Sequence, residues 1–347
     1  MQLMRENLRP LMQSLNSAHA GLLIQRALPI WEDGDRPQKQ ALVQTIAGVK
    51  PDNIYNLAFK RWLKLTQECA EFATTVATLN GRLFTGLPLG GTLETGVSTH
   101  HTYGMPLLAG SSIKGAVRSY AQSIGIDAKV IQVLFGSDDD ATPNAGYLIW
   151  HDAWWIPNTS TQTPFVKEMV TVHHQQYYKG TKTQADDTER PSPNLQTAVQ
   201  GSFYFVIEGV HAWVEYAKQL LDNMLTEQGL GAKTASGYGY FLITPDVISN
   251  QLAEIEEEQA HIKEKERNKD KSAEQILLDD FKDYQTPEVF VFYGKVLSWS
   301  EEQKFLVKEA YELIIKEPSV KKDKNNKWVK RLPALVEKLK GFGINID

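Results

Sequence analysis

The strongest constraint on this chain is a change of texture between residues 70 and 245 or so. Short runs rich in β-branched and aromatic residues, Phe72–Leu79, Gly146–Ile156, Gly201–Glu208 and Tyr238–Ile243, are separated by clusters of Gly, Pro, Ser and Thr. That is the punctuation of strands and turns. Two helical patterns interrupt the runs. One carries Ile113, Val117, Tyr120, Ala121 and Ile124 on a single face, and the other covers roughly Trp213 to Glu227. Strand, helix, strands, helix, strand is the order of a ferredoxin-like α+β sheet.

The flanks read differently. In residues 1–68, Asp52 is placed to cap a helix whose Tyr55, Phe59, Trp62 and Leu63 recur at helical spacing. Lys60, Arg61 and Lys64 fall off that stripe, where a solvated helix face is the plain reading. From residue 249 onward the chain is charged and helical. Glu254, Glu256, Glu257 and Glu258 lead, and Lys263, Lys265, Arg267 and Lys269 follow, an order that complements a helix dipole. Ser272 with Gln275, and Ser300 with Gln303, have capping-box spacing. Pro333 and Gly341 suit the two ends of a last helix. The expected division is a helical segment 1–68, an α+β core 69–248 and a helical extension 249–347.

Composition excludes several classes. The single cysteine, Cys69, permits no intrachain disulfide and no multi-cysteine zinc site, which suits a reducing compartment. The N-terminus lacks the apolar stretch of a signal peptide, and no run reaches the ~18 apolar residues of a membrane span. A cytoplasmic chain without a membrane partner is expected. The formal net charge of −5 argues against a uniformly basic nucleic-acid glove, so any phosphate site must be local.

Two loops have the makings of one. In the first, Gly110-Ser111-Ser112-Ile113-Lys114-Gly115 opens a helix. N–H groups at a helix start, with the hydroxyls of Ser111 and Ser112 beside them, suit a phosphate. Lys114 and Arg118 share a helix face and repel unless something anionic joins them; a serine-capped helix with two solvated cations is the alternative. The second loop runs from Gly229 to Gly239. Here Gly231, Lys233, Thr234, Ser236 and Tyr238 combine close backbone approach with a cation, hydroxyls and an aromatic ring. A nucleotide P-loop fails, because Ala232 and Glu227 stand where its glycines belong, and Thr234 breaks the G-x-G-x-x-G pattern. A tight strand connection remains the alternative. His173-His174-Gln175-Gln176-Tyr177-Tyr178, read as extended, places His173 and Tyr177 on one face, where they could stack bases. Lys179 and Lys182 follow on a loop.

Taken together, these stretches resemble a known family. Leu83-Phe84-Thr85-Gly86, Glu94-Thr95-Gly96, Tyr103-Gly104-Met105-Pro106, Gly110-Ser111-Ser112-Ile113-Lys114-Gly115 and the glycine loop at 229–239 are similar to the RAMP superfamily of CRISPR RNA-binding proteins. The run 173–178 and the stretch Asp186–Asn194 resemble the sixth-subunit family of the type III-B (Cmr) effector complex. The resemblance covers roughly residues 70–245. It implies a ferredoxin-like, RRM-like RAMP core whose loops clasp guide RNA (crRNA) and touch target RNA. Its implied neighbours are a backbone RAMP subunit, a small helical subunit and a further RAMP subunit, at the guide's 3′ end, with no cofactor.

The same resemblance bears on catalysis. The family's slicing subunits carry an aspartate between the first strand and the G-S-S-x-K-G helix. Here the interval from Gly81 to Gly110 holds no Asp, and Glu94 is its only carboxylate. The rival is a metal-independent ribonuclease in which His100 or His101, with Tyr103, moves protons. Adjacent histidines on an extended chain point opposite ways, so at most one faces a site. No H-E-x-x-H or C-x-x-C motif suggests a metal. The expectation is a non-enzymatic chain.

Overall fold

The structure, a computed structural model, describes residues 2–5, 15, 18–31, 36–137, 143–189, 191–268, 271–283, 289–316 and 332–345. The chain divides into two compact units, Met1–Ile255 and Glu256–Asp347.

The first unit opens with helices α1 (Ala20–Arg26), α2 (Arg36–Ala47) and α3 (Asn53–Glu68). Asp52 caps α3 by accepting the Tyr55 N–H at 2.7 Å. Strand β1 (Phe72–Leu79) follows, then β2 (Leu107–Leu108), α4 (Gly110–Ser123) and α5 (Ala128–Phe135). Short strands β3 (Gly136–Ser137), β4 (Asn144–Ala145), β5 (Ile149–Trp150) and β6 (Ala153–Trp155) come next. A hairpin of β7 (Phe165–Val172) and β8 (Ser192–Val199) encloses a helical turn, α6 (Gln175–Tyr178). Then β9 (Ser202–Glu208), α7 (His211–Glu227) and β10 (Phe241–Ile243) complete the sheet region.

The main sheet runs β10, β1, β9, β6, β2, with β5 also beside β9. Its pairings are antiparallel, and Val76 lies opposite Tyr204 at the centre. This order is compatible with the ferredoxin-like expectation. Both faces are buried. Phe203, Phe205 and Ile207 join Ala73 and Ala77 under Ile113 and Val117 of α4 and Leu221 and Met224 of α7. Tyr204 and Val206 join Val76 under Phe59 and Leu63 of α3 and under Ile248 and Ile255. This explains why β9 reads Phe-Tyr-Phe-Val-Ile without alternation: a strand covered on both sides has no polar face. An RRM stacks bases across an open sheet; among the described residues here, both faces of the central strands are covered by helices.

The structure corrects several expectations. Ile124 is the C-cap of α4 and 49% exposed, because the buried face ends one turn earlier. The run 146–156 is two short strands, interrupted where His151-Asp152 leaves the sheet. Residues 175–178 are a helical turn, since the ends of the hairpin need a reversal that an extended run cannot supply. Helix α5 and the β7–β8 hairpin were not legible as such. The glycine-rich stretch 82–96 is a fitted loop, in which a Cβ on Gly86 would lie 2.5 Å from the Ser98 nitrogen.

In the second unit, helices α9 (Ala273–Asp283), α10 (Val289–Ser298), α11 (Lys304–Lys316) and α12 (Leu332–Gly341) enclose Leu278, Val296, Val307, Ala310, Ile314, Leu335 and Leu339. The Ser300–Gln303 capping box forms, and Ser272 Oγ accepts the Gln275 N–H at 3.2 Å. Helix α8 (Ser249–Asn268) spans the boundary between the units.

Gly110 packs α4 onto β5. A Cβ there would lie 2.0 Å from the Trp150 carbonyl oxygen, so Gly110→Ala forces helix and strand apart. Overpacking of this kind costs about 1–3 kcal/mol, which a lowered urea midpoint should report.

Candidate nucleic-acid interface

The start of α4 is not the open anion cradle expected from its sequence. Its first N–H, on Gly110, is taken by the Asp152 carboxylate at 2.7 Å. The Ser112 and Ile113 N–H groups donate to the Ala109 carbonyl. A carboxylate already complements this helix terminus and repels a phosphate placed on it. Ser111 and Ser112 are exposed and form no side-chain cap. Lys114 and Arg118 are half-buried on the same side of the helix. Between them Gly115 is exposed, and among the described residues nothing lies within 4 Å of where its Cβ would stand. A glycine inside a helix costs about 1 kcal/mol relative to alanine, and no contact among the described residues requires one here.

The glycine loop is rigidly framed. Ala232 donates to the Phe84 carbonyl at 2.8 Å, Gly239 to the Arg82 carbonyl at 2.8 Å and Leu230 to the Gly239 carbonyl at 2.8 Å. A Cβ on Gly231 would lie 2.5 Å from the Phe84 oxygen, and one on Gly239 would lie 2.0 Å from the Leu230 oxygen. These two glycines are needed for close backbone approach. Lys233 adopts φ 63°, a left-handed conformation that costs a non-glycine residue of the order of 1 kcal/mol or more. Thr234–Ser236 make a 3-10 turn. The Lys233 and Ser236 side chains are exposed and Thr234 is half-buried. Tyr238 faces inward, its ring 4.8 Å from that of Phe84. Burial, together with the charge and hydrogen bond of Glu168, raises its pKa. Glu168 also lies 3.7 Å from Arg82 Nε, and Arg82 donates to Gln200 at 2.6 Å. Loop and hairpin are thus joined through Arg82–Phe84.

The hairpin end carries the remaining candidates. His173 and Tyr177 are exposed, and Tyr178 is 74% exposed with its ring 5.7 Å from that of Tyr177. The two-faced arrangement expected of 173–178 is lost in the helical turn. Lys179 is exposed. Lys182 pairs with Asp186 at 3.2 Å and Glu189 at 3.8 Å, so its charge is already met and it is a poor phosphate ligand. Hydrogen bonds from the Thr188 backbone and hydroxyl, then from Lys182, lower the Asp186 pKa to about 2.

Of the two histidines in this stretch, His100 is half-buried among aromatic rings and His101 is exposed. The His100 ring sits 4.6 Å from that of Tyr103 and 5.0 Å from that of Trp154. Burial lowers its pKa despite the attraction of Asp152. His101 lends its carbonyl to His19 Nε2 at 2.8 Å. Glu94 is paired with Lys39 at 2.5 Å. Among the described residues no group of His, Cys, Asp and Glu is arranged to hold a metal, and no helix is long and apolar enough to cross a membrane.

Sequence reading missed Asp152, Arg82 and Glu168. The break at His151-Asp152 inside an apolar run was the available signal for the first. The other two act through partners that are distant in sequence.

With this geometry in place, comparison with known proteins defines the class. Residues 76–241, a stretch that includes most of the sheet, α4 and the glycine loop, match the RAMP superfamily. The chain resembles the Cmr6 subunit of type III-B Cmr complexes. It is 27% identical over 150 residues to the CRISPR system CMR subunit Cmr6 of Saccharolobus solfataricus, covering 43% of this chain. It spans about half the length of that relative, 48%. Similar solved structures include a type III-B Cmr-beta bound to cognate target RNA, 20% identical, covering 63% of this chain and 78% of that one, with a TM-score of 0.49. Cmr6 from Pyrococcus furiosus is 17% identical, covering 50% of this chain and 98% of that one, with a TM-score of 0.34.

Two measurements check this description. Asp152→Ala removes the cap on α4 and should destabilise the first unit by about 1 kcal/mol, read as a lower urea midpoint. Asp186 has its pKa depressed in the folded chain, so its turn is favoured above the unfolded value of about 3.9 and lost as the pH falls through about 2. The Thr188 amide resonance should therefore titrate near pH 2, and a midpoint near 4 would contradict the hydrogen bonds described.

Proposed function

We propose that this chain is a non-catalytic, RNA-binding subunit of a type III-B CRISPR (Cmr) effector complex in the cytoplasm. In this reading it closes the filament at the 3′ end of the guide RNA, touches guide and target strands, and abuts a backbone RAMP subunit, a small helical subunit and a further RAMP subunit. The observation that carries the RNA contact is Gly115, exposed with empty space before it and flanked on one helix face by Lys114 and Arg118. An intrahelical glycine that no contact among the described residues requires suits the close approach of another backbone, and the two cations suit phosphates. The exposed Lys233 and Ser236 on a framed loop offer a second clasp. Contacts that are few and local fit a chain of net charge −5, because sequence is read by base pairing. The absence of an aspartate between Gly81 and Gly110, and the packing of His100 among aromatic rings, support a role without catalysis.

Gly115→Ala separates binding from folding. It should raise the stability of α4 by up to about 1 kcal/mol yet weaken the anisotropy-measured affinity for repeat-derived RNA. Lys114→Glu with Arg118→Glu should cost tenfold or more in affinity, and Lys233→Ala should lower the salt slope by about one. Unchanged RNA affinity in all three would leave a protein-only adaptor. Labelled RNA should stay intact with the purified chain, with and without Mg²⁺; cleavage would restore the ribonuclease reading.

A further inference from the structure

Asn80-Gly81 is the one Asn-Gly pair in the chain, and it stands where β1 ends. Both residues are exposed. The Asn80 N–H donates to the Tyr240 carbonyl at 2.8 Å, whereas its carboxamide and the Gly81 N–H make no hydrogen bond among the described residues. Gly81 holds φ 110°, and among the described residues nothing lies within 4 Å of where its Cβ would stand. A side chain after an asparagine shields the next backbone nitrogen, and glycine leaves it bare. A carboxamide carbon and the nitrogen that can attack it are therefore adjacent, unheld and at the surface, on a thermolabile residue type.

Other asparagines lack part of this combination. Asn144 is exposed, but Ala145 follows it within β4. Asn56 and Asn223 lie inside α3 and α7 and precede Leu57 and Met224. There the next N–H is held in the helical hydrogen-bond ladder.

We propose that Asn80 is a modification site, converted spontaneously to isoaspartate in the folded chain, and that this conversion uncouples β1 from the glycine loop. The Gly81 nitrogen gives up its proton and attacks Asn80 Cγ. The new N–Cγ bond closes a succinimide, the Cγ–Nδ2 bond breaks, and ammonia leaves with the proton. Water then adds to one ring carbonyl. Opening at Cγ gives aspartate, and opening at the main-chain carbonyl gives isoaspartate. Water is the only co-reactant, and nothing is oxidised or reduced.

The position makes this conversion matter. Two hydrogen bonds, Asn80 N–H to the Tyr240 carbonyl and Gly239 N–H to the Arg82 carbonyl, each 2.8 Å, bracket the link from Asn80 to Arg82. Isoaspartate carries the backbone through Cβ and Cγ, which adds one atom to a link pinned at both ends. Leu83, next to Arg82, is bonded to Val199 in both directions. The extra atom is therefore taken up at the Arg82–Gly239 bond, which closes the loop that carries Lys233. The product also places a carboxylate at the foot of that loop. The modification is independent of any RNA role, and only its effect on binding rests on the function proposed above.

The test incubates the full chain at pH 8 and at pH 6 and maps its tryptic peptides by mass. The peptide ending at Arg82 should gain the mass of an amide-to-acid conversion and become a substrate for protein isoaspartyl methyltransferase. The reaction should run faster at pH 8, because the attacking nitrogen is deprotonated, and at least tenfold faster than at Asn144. An Asn80 amide that persists in the folded chain, while the same peptide converts in urea, would overturn the proposal, since the fold would then protect it. So would equal rates at Asn80 and Asn144. Asn80→Gln, whose side chain would have to close a larger ring, should remain unlabelled and keep its melting temperature. Affinity for repeat-derived RNA should fall in proportion to the isoaspartate fraction in the aged chain and hold in aged Asn80→Gln. Full conversion with unchanged affinity would refute the uncoupling. A fresh chain that binds no RNA would instead count against the proposed function, with the mass result still deciding the modification.

Discussion

The antiparallel pairing of Phe72–Leu79 with Ser202–Glu208 is the constraint on which the first unit depends. Because these central strands are covered on both faces, every polar group they carry has to be met inside the protein. Tyr204 shows how. Its hydroxyl lies 2.7 Å from Thr66 Oγ1 and accepts from Gln67 Nε2 at 3.1 Å, so α3 is bonded to the sheet as well as packed on it. On the other face, Thr75 donates to Asp222 of α7 at 2.7 Å, and Lys218 holds the same carboxylate at 2.7 Å. Hydroxyls such as these, left unmet, would each cost about 1–3 kcal/mol. Helices on both sides are thereby fixed in register with the strands.

A sheet closed on both faces leaves its rims as the places where a partner can meet it. The rims here are built rather than loose. The strut Arg82–Phe84 is bonded on one side to Val199 and on the other to Ala232 and Gly239, so hairpin, strut and glycine loop share one frame. Glycine is placed where backbones nearly touch, at Gly231 and Gly239, while the exposed positions carry Lys233 and Ser236. The backbone strain at Lys233 persists because that surrounding frame over-determines it.

This division explains what the sequence disclosed. Elements fixed by local periodicity were legible: β1, the buried face of α4, α7, and the Asp52 cap on α3. Both glycine-rich candidates were also legible, because glycine, serine and lysine cluster in the chain. What was not legible depends on residues brought together from afar. Asp152 lies more than forty positions from Gly110, and the local sequence around Gly110 gave no hint that its N–H was already taken. Lys182 looked available because its partners, Asp186 and Glu189, follow in a loop whose folding back could not be read from spacing. The hairpin was hidden for a related reason: its strands alternate imperfectly, and their stability comes from pairing with each other and from packing against α2.

Asp152 also changes where an anion can sit. A helix terminus with its first N–H bonded to a carboxylate has lost the local positive field that makes such ends attractive. In the function proposed above, attraction then comes from side chains further along the helix, which is where Lys114 and Arg118 stand, half a turn and more beyond the serines. On that reading affinity rests on side chains and a bare glycine rather than on a helix dipole, and can be removed residue by residue without unfolding the helix. The carboxylate that stabilises α4 and the cations that give it a surface charge thus act at different levels of the same element, and substitutions at each should separate stability from binding.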